Sequence, residues 1–174
     1  MYCAPTLAGV KTANMFSYRF TSIEILTKDI HTINMKLNPK GVFAEILHIT
    51  NNSAKIFVYR LSRLIADLAQ DDTQAFLNIY GYRTAFVDDC ISCLKDRFLS
   101  GHGFPHEIGL FLGYPLHDVV GFIQNCGKNS KRSGCWKVYH DEKEAERKFA
   151  IYQNCKKACL YYFSQGKPIE HLVA

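Results

Sequence analysis

Five apolar residues, Ile23, Leu26, Ile30, Ile33 and Leu37, recur at intervals of three and four. That spacing draws one stripe along a helix. Thr21-Ser22-Ile23-Glu24 ahead of them is a capping-box pattern, and Asn38-Pro39-Lys40-Gly41 closes the helix. The pattern then changes. Val42 to Ile49 reads as a strand, Asn51-Asn52-Ser53 turns the chain, and Ala54 to Tyr59 returns as a second strand of a hairpin. Leu61, Leu64, Ile65 and Leu68 mark a further helix. A short helix follows from Asp72 to Gly81, and Phe86, Val87, Ile91, Leu94 and Phe98 mark a longer one that ends near Gly101.

Two helices joined at Gly113-Tyr114-Pro115 follow. Ile108, Gly109, Leu112, Leu116, Val119 and Phe122 have the spacing that packs a helix–turn–helix corner over residues 106–125. Gly134 to Tyr139 reads as a third strand. Asp141 with Glu144 opens a last long helix that ends at Gly166. At the amino terminus, Pro5 suits a first helical turn, which predicts a short helix from Cys3 to about Asn14. The fold class is therefore α+β. It is a mostly helical single domain, residues 1–174, with a small antiparallel sheet made of the hairpin at about 42–59 and the strand at about 134–139.

Composition narrows the setting. A chain of 174 residues buries roughly 70% of its unfolded surface, enough for a core without disulfides. Mean hydropathy is −0.11, and no uncharged apolar run approaches the roughly 18 residues of a membrane span. Lys11 interrupts the apolar amino terminus and no basic segment precedes it, so a secretory leader is not expected. Seven cysteines, an odd number, fit reduced thiols in the cytoplasm. Net charge is +5, and the segment from Lys128 to Lys157 accounts for all of it. Between Lys128 and Lys137 four basic residues stand without an acid.

Candidate chemistry concentrates between residues 102 and 139. The corner has the spacing of DNA-binding versions. Its outward positions, however, would be His117, Asp118, Val120, Gly121 and Gln124, with no Arg or Lys to read bases. His102, His106 and Glu107 precede it, and an imidazole at a helix start stays neutral, as a ligand or base requires. Cys3, before Ala4-Pro5, would place a thiol at a helix amino terminus, where thiolate is favoured. In a strand, Cys135, Lys137 and Tyr139 share one face while Trp136 and Val138 share the other. Cys126, Cys135, Cys155 and Cys159 offer four sulfurs, but no Cys-x-x-Cys knuckle lies in a loop. Phosphate-loop, GxSxG and HExxH motifs are absent from the sequence.

CAPTLAGVKTANMFSYR at the start, LNPKG with its hairpin and VYR, FPHEIGLFLGYPLHDV, GCWKVY and the closing helix occur in that order. Together they resemble the bacterial domain-of-unknown-function family 3793, over nearly the whole chain. The resemblance implies a single intracellular bacterial domain and assigns no activity, cofactor or catalytic residue. It draws attention to Cys3, to His106-Glu107 and to Cys135-Trp136-Lys137.

Two functional expectations follow. The first is a metal-, ligand- or thiol-redox-linked domain. There Cys3, His106 and Cys135 would converge as catalytic groups or metal ligands, beside Lys137, Tyr139 and Glu107 as ligand-binding groups. Such a Cys/His set suits iron, zinc or thiol chemistry. The second is a non-enzymatic module that holds an acidic protein or a nucleic acid on the basic loop 128–137, through Lys128, Lys131 and Arg132.

Overall fold

The structure is a computed structural model. It describes residues 2–83, 85–101 and 103–174, apart from the side chain of Ile169. His102 lies outside the described residues. In chain order the elements are α1 (Ala4–Leu7), β1 (Ala13–Arg19), α2 (Ile23–Leu37), β2 (Val42–Ile49), β3 (Ser53–Arg60), α3 (Leu61–Leu68) and α4 (Asp71–Ile79). They continue with α5 (Val87–Leu99), α6 (Ile108–Phe111), α7 (Leu116–Gln124), β4 (Arg132–Ser133), β5 (Lys137–Val138) and α8 (Glu142–Ser164).

A three-stranded antiparallel sheet in the order β1-β3-β2 organises the chain. Its central strand carries Ile56, Phe57, Val58 and Tyr59, all buried. An unbroken apolar run is what a strand covered on both faces requires. One face packs Phe57, Tyr59 and Ala13 against Leu64, Leu77, Leu94, Phe111 and Val119 from α3 to α7. The other packs Ala54, Ile56 and Val58 against Leu7 of α1 and Leu26 and Leu37 of α2. Full burial of a side chain such as Phe57 contributes about 1.5–3 kcal/mol.

The α+β class and the hairpin stand as expected, but the sheet's third strand comes from elsewhere. Residues 13–19, expected to follow a helix reaching Asn14, form β1 and pair in register from Ala13↔Tyr59 to Arg19↔Ser53. The first helix stops after one turn, because Gly9 turns the chain at φ 71°. The Arg60 side chain then caps it, donating to the carbonyls of Thr6 (2.9 Å) and Leu7 (2.7 Å). The strand at 134–139 does not join the sheet; β4 and β5 form their own two-stranded ribbon. The cap of α2 is also displaced by one residue: Ser22, not Thr21, accepts from the Ile25 amide. The cap of α8 is as expected, with Asp141 accepting from the Glu144 amide at 3.0 Å.

Candidate functional site

The helical corner is built on one buried acid and two glycines. Glu107 is 1% exposed and pairs with Arg97, while Tyr82 donates to the same carboxylate at 3.0 Å. A carboxylate out of water needs such partners. They turn Glu107 into the core, so it anchors the start of α6 rather than facing a ligand. Gly109 lets α6 and α7 touch, since a Cβ there would lie 2.7 Å from Val119 Cγ2. Gly113, at φ 75°, ends α6.

A second buried acid, Asp118, joins α7 to the ribbon. It is 2% exposed. Its carboxylate accepts from Trp136 Nε1 (2.7 Å), the Tyr139 amide (2.7 Å) and the His140 amide (3.1 Å). Gly121, one turn on, lies under the Tyr139 ring. The face of α7 that would have read DNA is therefore covered by the ribbon, and two of its expected outward positions, Asp118 and Gly121, are buried. The corner is a packing device for the residues that follow it.

Closing the ribbon over α7 leaves a cleft of about 260 Å³. Met15, Tyr114, Phe122 and Trp136 line it, with Phe104 and His106 on its lip. The lip is a run of ring contacts, His106 to Phe104 at 5.5 Å and His106 to Phe122 at 5.0 Å between centroids. Trp136 stacks on Tyr114 at 5.1 Å. His106 and Phe104 are both exposed. Lys137 is the one Lys or Arg among the lining residues, and its Nζ donates to the Gly127 carbonyl at 2.7 Å. The arrangement can hold a flat apolar molecule between rings and meet a polar end at His106 and Lys137.

The sequence candidates distribute unevenly over this geometry. His106 and Lys137 share the cleft. Trp136 and Val138 are buried while Lys137 is exposed, as the strand alternation predicted. Tyr139 turns away from the cleft, and its hydroxyl donates to the Lys128 carbonyl at 2.9 Å. Cys135 contributes its carbonyl, which accepts from Tyr114 Oη at 3.2 Å. Cys3 packs in the cluster on the opposite face of the sheet. Among the described residues no three His, Cys, Asp or Glu side chains are grouped to hold a metal ion. Cys3, His106 and Cys135 therefore do not form one metal set.

The thiolate expected at Cys3 is also corrected. Burial pushes the thiol up to about 12, and Lys11 only partly offsets this. A helix of four residues offers little dipole against that desolvation. Lys11 itself is a residue that sequence reasoning missed. Spacing put it two turns beyond Cys3. The turn at Gly9 instead folds it inside, 4% exposed, with Nζ donating to the Ala13 carbonyl at 2.6 Å and lying 5.0 Å from the Tyr114 centroid. Burial pushes its ammonium down to about 8, against opposing contributions from Cys135 and Cys3.

The basic loop is less free than its composition suggests. Arg132 pairs with Glu146 at 2.9 Å, and Lys131 donates to the His140 carbonyl at 3.1 Å. Lys128 is exposed. The cleft's walls at Met15, Tyr114 and Phe122 had no sequence signal beyond apolar character. Asp118 had one: a lone acid inside the apolar run Leu116–Ile123.

Among the described residues no helix is long and apolar enough to cross a membrane. Compared with known proteins, the chain matches the family described as protein of unknown function (DUF3793) over residues 1–173, and it belongs to that family. No curated protein and no solved structure matches it.

Proposed function

We propose that this chain is a single-domain ligand-binding protein whose aromatic cleft takes a small, flat, largely apolar anion. The carrying observation is the cleft itself: ring walls from Tyr114, Phe122 and Trp136, an exposed lip at Phe104 and His106, and one ammonium, Lys137, at its edge. Apolar walls supply affinity, and a few placed polar groups fix orientation. An anionic end meets Lys137 and His106; the carboxylate of Asp118, which also lines the cleft, is already bound by three N–H groups that offset its charge. This reading draws on the ligand-linked expectation rather than on metal or thiol chemistry. The odd count of seven cysteines fits a reducing, cytoplasmic setting.

Trp136, the sole tryptophan, lines the cleft and reports on it. Naphthalenesulfonate titrated into the protein is expected to quench its fluorescence saturably. His106→Ala and Lys137→Gln, both at exposed positions, are each expected to weaken binding by about tenfold, the loss of one charge-assisted contact. Quenching that never saturates, or that both variants leave unchanged, would overturn the assignment.

A further inference from the structure

Behind the Gly113–Pro115 turn lies a second cleft of about 220 Å³, with Tyr114 as the wall it shares with the aromatic one. Its character is opposite. Asp67 from α3, Gln70 and Thr73 from the start of α4, and Lys148 from α8 enter it. Three of these groups are left with bonding capacity.

Asp67 has one oxygen engaged: Oδ2 accepts from Thr12 Oγ1 at 2.5 Å. Among the described residues its Oδ1 accepts no hydrogen bond. An ionised carboxylate has about four acceptor sites, so most of its capacity is unused. Burial raises its pKa, with Thr12, Arg63 and Lys148 opposing the shift.

Thr73 lines the cleft, and among the described residues its hydroxyl makes no hydrogen bond. Lys148 has Glu144 as its nearest acid, at 3.7 Å. That separation is too long for a hydrogen bond. Glu144 is already held by Arg147 through two bonds of 2.8 Å.

We propose that this polar cleft binds a small zwitterion of the amino-acid type, with its ammonium on Asp67 Oδ1 and Thr73 Oγ1 and its carboxylate on Lys148 Nζ. A simple amine would satisfy Asp67 but face Lys148. A simple carboxylate would satisfy Lys148 but face Asp67. Only a ligand with both charges meets both groups. The cleft is smaller than the roughly 300–1,000 Å³ of pockets for drug-sized ligands, which suits a molecule of a few heavy atoms. The site is separate from the aromatic cleft and stands without it.

Saturation-transfer NMR on the full chain tests the proposal. The probes are the protein amino acids, β-alanine and 4-aminobutyrate, with ethylamine and propionate as controls carrying one charge. At least one zwitterion is expected to bind, and both controls to bind more weakly by about tenfold or more, since each lacks one charge-assisted bond. Lys148→Gln and Thr73→Val are each expected to weaken the bound zwitterion, with Lys148→Gln costing roughly tenfold. Asp67→Asn should abolish binding, but it also touches Thr12, so the α8 variant decides if that protein folds poorly. Naphthalenesulfonate quenching of Trp136 should be unchanged in Lys148→Gln, which separates the two clefts. Absence of any zwitterion signal, equal binding of ethylamine, or full binding in Lys148→Gln would each overturn the proposal.

Discussion

Asp118→Ala removes the acceptor of three N–H groups at once. Trp136 Nε1 and the amides of Tyr139 and His140 all bond to that carboxylate, at 2.7, 2.7 and 3.1 Å. A hydrogen bond to a charged group contributes about 1.5–3 kcal/mol. The gross loss is therefore about 5–9 kcal/mol if nothing relaxes. The ribbon can relax, however. Its strands are two residues each, and it is held otherwise by Trp136 and Val138 against Ala145, Phe149 and Tyr152. Lifting it off α7 lets water reach the freed donors, so the observed loss should be about 3–5 kcal/mol, a large share of a typical 5–15 kcal/mol. Most of it should fall on the ribbon rather than on the sheet. Urea unfolding followed by Trp136 fluorescence and by far-UV circular dichroism separates the two. In the parent protein the transitions should coincide. In Asp118→Ala the fluorescence transition should move to lower urea and precede the helical one, with red-shifted emission before unfolding. Asp118→Asn keeps one acceptor oxygen and should lie between. Coincident transitions in Asp118→Ala, shifted by less than about 1 kcal/mol, would refute the clamp.

Two other perturbations follow from the same packing. Gly121→Ala places a methyl 2.6 Å from Tyr139 Cγ; overpacking of this kind costs about 1–3 kcal/mol, and the urea midpoint should fall accordingly. Lys11 is held near pKa 8 against an ordinary value of 10.5, so between those values the unfolded chain binds a proton the native chain lacks, and the Lys11 contribution to stability rises with pH. Below pH 8 its burial costs about 3 kcal/mol, and that cost fades by about pH 10.5. Lys11→Met should therefore be the more stable protein at pH 7, and its advantage should shrink as pH rises to 10; urea midpoints at the two pH values check this, and a difference independent of pH would count against it.

Much of the fold was legible because its signals are local. The stripe of α2, the turn at Asn51-Asn52-Ser53 and the Asp141 cap of α8 each reside within a few residues. Their placement in the structure differs from expectation by a residue or two at most. The candidate site was legible only in part. Trp136, Lys137 and His106 were singled out by type and alternation, and they meet at the cleft. Glu107 and Cys3 were singled out in the same way and do not meet there, because burial and partners far along the chain decide what an acid or a thiol does.

The sequence by itself determined most of the helices, the hairpin and which of their faces are apolar, since backbone preference and period are properties of neighbouring residues; it did not mark Ala13–Arg19 as a strand. It did not determine that Ala13–Arg19 pairs with Ser53–Arg60. Nor did it determine that a ribbon closes over α7, that Lys11 turns inward, or that Asp67, Thr73 and Lys148 share a cleft. Those outcomes depend on residues tens of positions apart competing for the same buried space. Only the packed chain sets the water, charge and donors each of them meets.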